Sequence, residues 1–299
     1  SLHPVKTEFG VKTRIHQSSC NTDYSCVMGN CPSFVSVLID QETASEHRSL
    51  PKLPEIFVEE PTVKALLNKP YHILMPGIGG TGVVTVNALL AVAALLDGNH
   101  VITLDQTGLS QKGGAVLSHM TISPEPIEAA HRISYGATDL LLGFDIIGTA
   151  AKETLKRVSI EHTTAVLNTH QAPTSESVRS GLTVLSEEAH LVDIINQCTR
   201  SANNIFANSS EFAEALFGSH LQSNIFLLGV AYQAGLLPLE SSSVEEAICL
   251  NGISTELNVA AFRWGRKYYQ NPKSLTSYVK RDQSADTPKN IDELISHRV

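Results

Sequence analysis

Residues 71–96, YHILMPGIGGTGVVTVNALLAVAALL, decide the fold class. The apolar run 72–75 reads as a strand, Pro76 to Gly82 as a glycine turn, and Val83–Leu96 as a helix. That helix is apolar nearly all round, as expected of one buried against a sheet. Gly77, Gly79 and Gly82 fit G-x-G-x-x-G between strand and helix, with Gly80 in the same turn. Missing side chains let the amides of a helix N-terminus approach an anion closely. The same glycines also suit a tight strand-to-helix crossing that holds no ligand, and the pattern leaves both readings open.

Outward from this unit, Asp97-Gly98-Asn99 ends the helix, and His100–Leu104 reads as a second strand closed by Asp105. Asp105 stands near the place of a ribose-binding carboxylate, or it caps and braces the following loop. A second glycine segment, TGLSQKGG at 107–114, lacks the Gly-Lys-Ser/Thr of a P-loop. It offers Lys112 either to a phosphate or acidic partner, or simply to solvent. Strands over 115–122, 138–144 and 163–168 alternate with helices over 145–158, 189–200, 224–235 and 244–266, and 181–185 is a candidate short strand. His119 reads as a hydrogen-bonded structural residue and Asn168-Thr169-His170 as a plain turn. The expected class is α/β: a Rossmann-like doubly wound, mostly parallel sheet covered on both faces, preceded by a small irregular cysteine-rich segment.

The 299 residues carry 22 basic and 30 acidic side chains, a net charge of −8 that argues against a nucleic-acid binder or an anionic membrane surface as partner. With 42% hydrophobic residues a sizeable core is expected, and disorder throughout is excluded. The longest apolar run, Val83–Leu96, falls short of the roughly 18–20 residues of a span and contains Thr85 and Asn87. No secretory signal opens the sequence, so the expected compartment is the cytoplasm.

Cys20, Cys26 and Cys31 lie close together, whereas Cys198 and Cys249 are isolated in expected helices. The spacing Cys-x5-Cys-x4-Cys-Pro lacks the two close pairs of a zinc finger. Three close thiols ending in Cys-Pro fit an iron–sulfur cluster better. Three unliganded cysteines in a reduced loop are the alternative. A fourth ligand is missing, and the opening Ser1 suggests a fragment whose remaining cysteines precede it.

These segments together resemble one family. TEFGVKTRIHQSSCNTDYSCVMGNCPSFVSV (7–37) resembles the iron–sulfur segment of the fused indolepyruvate ferredoxin oxidoreductases. GIGGTGVVTVNALLAVAALL (77–96) and LDQTGLSQKGGAVLSHMTIS (104–123) resemble the gamma domain of 2-oxoacid:ferredoxin oxidoreductases. NIFLLGVAYQAGLLPL (224–239) and LNGISTELNVAAFRWGR (250–266) match the end of that domain, and IDELISHR (291–298) the start of the next. The resemblance implies a partial iron–sulfur segment over 1–36, a linker over 37–70, a gamma-type domain over 71–270, and a linker with the start of a helical domain over 271–299.

The activity implied is oxidative decarboxylation of indolepyruvate or another aryl 2-oxoacid to the acyl-CoA, with electrons leaving through 4Fe-4S clusters to ferredoxin. Thiamine diphosphate and Mg would sit on upstream thiamine-binding domains or subunits, coenzyme A would be co-substrate, and the assembly would be a homodimer. Cys20, Cys26 and Cys31 would be cluster ligands, an incomplete set in this chain. Gly77, Gly79, Gly80, Gly82 and Lys112 would form a phosphate-approach site, and no catalytic residue is nominated, so the isolated chain is expected to be inactive. An NAD- or FAD-binding oxidoreductase using Asp105, and a non-catalytic assembly module using the late helices, are the competing readings.

Overall fold

The computed structural model describes residues 2–7, 9–15, 27–28, 53–62, 65, 67–108, 114–172 and 188–279. Near the start, β1 (Leu2–Thr7) and β2 (Gly10–Ile15) pair antiparallel over their whole length, with Gly10 at φ +86° where the chain turns back. The segment expected to be irregular therefore opens with a regular hairpin. Cys20, Cys26 and Cys31 lie outside the described residues, as does the candidate strand 181–185.

The main sheet is built from β3 (Tyr71–Ile78), β4 (His100–Thr107), β5 (Ala115–Ser123), β6 (Leu140–Gly143), β7 (Thr164–Asn168) and β8 (Ile205–Ala207). Its helices are α1 (Val83–Leu96), α2 (Ile146–Thr149), α3 (Lys152–Leu155), α4 (Glu188–Cys198), α5 (Ser209–Phe217), α6 (Ser223–Gln233), α7 (Ser241–Asn251), α8 (Thr255–Gln270) and α9 (Thr276–Val279). The strand order is β4-β5-β3-β6-β7-β8. Strands β3, β6, β7 and β8 run parallel, while β5 is antiparallel to both its neighbours. The expectation of a mostly parallel α/β sheet holds, with one antiparallel strand inserted. Because β4 and β5 form a hairpin, the strand after α1 does not pair with β3.

Both faces are covered, which is why the strands read as continuous apolar runs. Ile73, Met75, Leu140, Leu142 and Val166 alternate onto the face packed by α1 and α5–α8. Leu74, Leu141, Ala165 and Leu167 point the other way, against Ile146, Val158 and the α4 residues Leu191 and Ile195. Every residue of α6 is buried. It crosses α8 so closely that a Cβ on Gly229 would stand 2.1 Å from the Phe262 carbonyl oxygen, and one on Gly265 1.9 Å from that of Phe226. Glycine at both positions is what brings these two backbones into contact.

Part of the segment read as a linker, 53–62, lies against this helical layer. Arg266, 4% exposed, donates from Nη2 to the carbonyls of Val58 (3.3 Å) and Glu59 (3.1 Å) and to Glu60 Oε1 (3.0 Å), and from Nε to Gln233 Oε1 (2.9 Å). Tyr232 and Ser241 also donate to the Glu60 carboxylate, which these groups and Arg266 hold below the usual glutamate range despite burial.

Two expected helices break. Over 145–158 only α2 and α3 form, separated by Ala151 in an extended conformation. Thr154 Oγ1 donates to the Gly148 carbonyl, replacing a helical bond, and Ile146-Ile147-Gly148-Thr149 is weak helix-forming sequence. The long helix expected over 244–266 splits into α7 and α8. Gly252 ends α7 at φ +72°, and Ser254 follows at φ +45° before α8 starts.

Candidate functional site

The site is built where β3 ends. Gly77 admits close packing: a Cβ there would meet Val83 Cγ2 at 2.4 Å and Phe144 Cβ at 3.3 Å. Gly80 and Gly82 adopt φ +86° and +92°, left-handed conformations that a Cβ would strain. Gly79 N–H donates to the Gly114 carbonyl (2.7 Å), and Thr81 Oγ1 to that of Ile78 (2.7 Å). From the far side Asn224, at the start of α6, donates to the Thr81 carbonyl (2.9 Å). The turn is thus pinned by two segments distant in sequence, at Gly114 and Asn224.

The first intrahelical bond of α1 runs from Val86 N–H to the Gly82 carbonyl, and no side chain caps the helix. The amides of Val83, Val84 and Thr85 belong to the first turn, whose donors have no partner within a helix. The same three residues line a depression of about 310 Å³, together with Ile78, Gly79, Gly80, Gly82 and Val116. Among the described residues the lining includes no acid or base, which suits holding a group through backbone dipoles more than proton transfer.

The two glycine segments meet here. The hairpin register sets Gly77 beside Val116 and Ile78 beside Ala115, and the Gly79–Gly114 bond ties the turn to the hairpin tip. Lys112 lies outside the described residues. The structure brings Gly77, Gly79, Gly80 and Gly82 together as the sequence suggests, and adds Gly114 and Asn224, which sequence reasoning did not single out.

Asp105 is not placed as a dinucleotide fold would place it. It lies inside β4 rather than at its end, and β5 stands between β4 and β3, two strand spacings or about 9.5 Å across. Its Oδ1 accepts from Asn87 Nδ2 (2.9 Å) and from Ser118 Oγ, bracing α1 on the hairpin. Its partners lie on α1 and β5, so the bracing it provides is between helix and sheet rather than of the following loop.

Three further polar residues are fixed by the fold. Asp145 caps α2, accepting from Gly148 N–H at 2.6 Å, and its burial pushes the carboxyl above its usual range. Gly148 in turn lies close to Gly77, so this carboxyl flanks the end of β3. His119, fully buried, accepts from Ile133 N–H at Nδ1 (3.3 Å), so its Nε2–H donates to Gln106 Oε1 (3.0 Å). Burial, with Arg157 and Arg132 nearby, pushes it down to about 4 and keeps it neutral. It is the structural histidine expected. Asn168 donates to the Phe144 carbonyl and Ser210 Oγ, which fixes the turn after β7. Among the described residues no group of three or more His, Cys, Asp or Glu could hold a metal, and no helix is long and apolar enough to cross a membrane.

With this geometry in hand, comparison with known proteins is informative. Residues 72–268 match the family described as pyruvate ferredoxin/flavodoxin oxidoreductase. The chain is 28% identical over 198 residues to indolepyruvate oxidoreductase subunit IorB of Archaeoglobus fulgidus, covering 65% of this chain and 92% of that protein. It is 27% identical over 197 residues to the subunit of the same name from Methanothermobacter thermautotrophicus, covering 65% of this chain and 95% of the relative. Among solved structures, a 2-oxoglutarate:ferredoxin oxidoreductase from Magnetococcus marinus with 2-oxoglutarate, coenzyme A and succinyl-CoA bound has a similar fold. The TM-score is 0.51 at 17% identity, over 68% of this chain and 31% of that one.

Proposed function

Because the chain belongs to the pyruvate ferredoxin/flavodoxin oxidoreductase family, we propose that it is the gamma-type part of an indolepyruvate oxidoreductase. The substrate is indolepyruvate or another aryl 2-oxoacid, and the electron acceptor is ferredoxin. The observation that supports this reading is the likeness to subunit IorB along 92% of that relative's length. Thiamine diphosphate with Mg, on other domains or subunits, supplies the decarboxylating chemistry when bound. This chain's own part is to bind and position, which is consistent with a depression lined by backbone and apolar side chains.

In this reading the turn at Gly77, Gly79, Gly80 and Gly82 takes a phosphate of coenzyme A. A phosphate fits the feature: Gly80 and Gly82 carry no side chain, and the first turn of α1, whose amides have no partner within the helix, borders the same depression. Lys112, in the sequence between β4 and β5, supplies the counter-charge. Cys20, Cys26 and Cys31 are cluster ligands and carry electrons toward ferredoxin. The protein is cytoplasmic, works as a homodimer with its thiamine-binding partners, and is inactive alone.

Titration with coenzyme A, followed by backbone amide NMR, tests the site. Saturable shifts at Gly80, Gly82 and Val83 are expected, with NADH giving none. Saturable binding of NADH at the turn, with coenzyme A inert, would overturn the assignment and favour a nicotinamide enzyme.

A further inference from the structure

Among the described residues two arginines are buried, and only one of them is neutralised. Arg266 meets Glu60, Gln233 and the carbonyls of Val58 and Glu59. Arg157, 2% exposed, donates to the Ile133 carbonyl, but its Nε bonds nothing and it forms no ion pair among the described residues. Glu153 acts on it only at a distance, being bonded to Lys156 Nζ at 2.5 Å. Burial and Arg132 both push the Arg157 guanidinium below its ordinary range, so a second cation adds to the first. A buried charge left without an opposite one is costly, and in a low dielectric its field reaches the nearby surface.

The surface beside Arg157 carries an exposed ring. Tyr135 is 64% exposed, with Arg157 Cζ 5.0 Å and Lys156 Nζ 5.8 Å from its ring centroid. Backbone bonds hold it there: Gly136 N–H donates to the Lys156 carbonyl (3.1 Å), and Thr138 N–H to that of Arg157 (3.0 Å). The ring and its flanking cations are therefore placed before any partner arrives. Lys156 is exposed, as is Arg132, next in sequence to the Ile133 carbonyl that Arg157 bonds. On a chain of net charge −8 this is a local reversal of sign. These residues precede β6 and β7, at the amino ends of the parallel strands, whereas the glycine turn follows β3 at the opposite end of the sheet.

We infer that this patch docks an acidic surface of a partner protein, with Tyr135 as the central contact and Arg132 and Lys156 meeting its carboxylates. The sign of the partner follows from the charge that Arg157 lacks. Its guanidinium is covered, so a free anion has no seat on it, and it acts through its field on whatever lies against Tyr135. The ring adds apolar area that a protein surface covers and an inorganic anion does not. Tyrosine and arginine are also the side chains that dominate binding energy at protein interfaces. Covering the ring excludes water and so strengthens the attraction between the carboxylates and all three cations. The inference goes beyond the function proposed above and does not depend on it, and a partner docked here leaves the glycine turn free.

Titrating the 299-residue chain against a fluorescein-labelled polyglutamate peptide carrying one phenylalanine tests this, with amide NMR to locate the contact. Saturable anisotropy is expected at low ionic strength, weakening as salt rises, with amide shifts at Tyr135, Gly136 and Lys156. Arg132 is exposed and forms no ion pair among the described residues, so Arg132→Glu is expected to fold normally. It should bind about tenfold more weakly, since an attraction becomes a repulsion. Tyr135→Ser leaves every charge in place and is expected to weaken binding several-fold as well. Inorganic phosphate is expected to leave these amides unmoved. No binding, shifts confined to other residues, or an Arg132→Glu variant that binds like the wild type would overturn the inference. Phosphate saturating the same amides would overturn it in favour of a small-anion site.

Discussion

Replacing Gly229 by alanine tests the packing that organises the domain. On an isolated helix the change would stabilise by about 1 kcal/mol, because alanine is the better helix former. Here the new Cβ would stand 2.1 Å from the Phe262 carbonyl oxygen and 3.0 Å from Arg266 N. Both obstacles are backbone, so no side-chain rotation relieves the contact. Reaching an ordinary separation of about 3.4 Å requires α6 and α8 to part by roughly 1 Å, which forfeits a quarter to a half of each nearby dispersion contact. Phe226, Tyr232 and Phe262 are packed along that seam. An overpacking cost of about 3–5 kcal/mol, at or above the usual range because backbone must move, leaves a net loss of about 2–4 kcal/mol. In a domain of this size that lowers Tm by about 6–12 °C, read by far-UV circular dichroism. Gly265→Ala should behave alike, and the double variant should lose less than the sum, since one separation relieves both clashes. A Gly229→Ala protein with an unchanged or raised Tm would refute the backbone-contact reasoning.

His119 makes stability fall with acid. Its folded value is about 4 against an ordinary 6.5, so below pH 6.5 the unfolded chain takes up the proton first. The stability present above pH 6.5 is lost toward pH 4, by about 2 kcal/mol between pH 7 and pH 5. Asp145, raised by burial, acts in the opposite direction, so the measurement is the wild-type urea midpoint against that of His119→Gln at both pH values. Equal pH slopes would contradict it. Arg266→Met should cost about 3 kcal/mol and expose 53–62 to limited proteolysis, because the Val58 carbonyl loses its donor and the Glu59 carbonyl and Glu60 each lose one of theirs; an uncleaved segment would count against that. Asn224→Ala should cost about 1–2 kcal/mol in urea unfolding and broaden the amide signals of Gly80 and Gly82, having freed the Thr81 carbonyl.

The strand–turn–helix unit at 71–96 was legible because its apolar periodicity and its glycines agree. The pairing of the next two strands was not. A strand following a glycine turn and a helix suggests a parallel crossover onto its neighbour, yet β4 pairs antiparallel with β5 instead, which displaces Asp105 from the turn. Alternating apolar residues look the same in both arrangements, so only the partner strand decides. The break between α7 and α8 was marked in the sequence: Asn251-Gly252 is a helix stop, and Ser254-Thr255-Glu256 a helix start. Asn208 with Glu211 likewise marked α5, where Asn208 Oδ1 accepts from Glu211 N–H. The roles of Asn224 and Gly114 had no local signal, since each reaches the glycine turn through tertiary contact alone.

The most direct measurement combines this chain with the thiamine-bearing partner of an indolepyruvate oxidoreductase, under anaerobic conditions. Reduction of a viologen dye, dependent on both indolepyruvate and coenzyme A, should appear in the mixture and in neither component alone. A partner equally active without this chain, or a mixture that stays inert while the two proteins co-purify, would contradict its assignment as the gamma-type part of that enzyme.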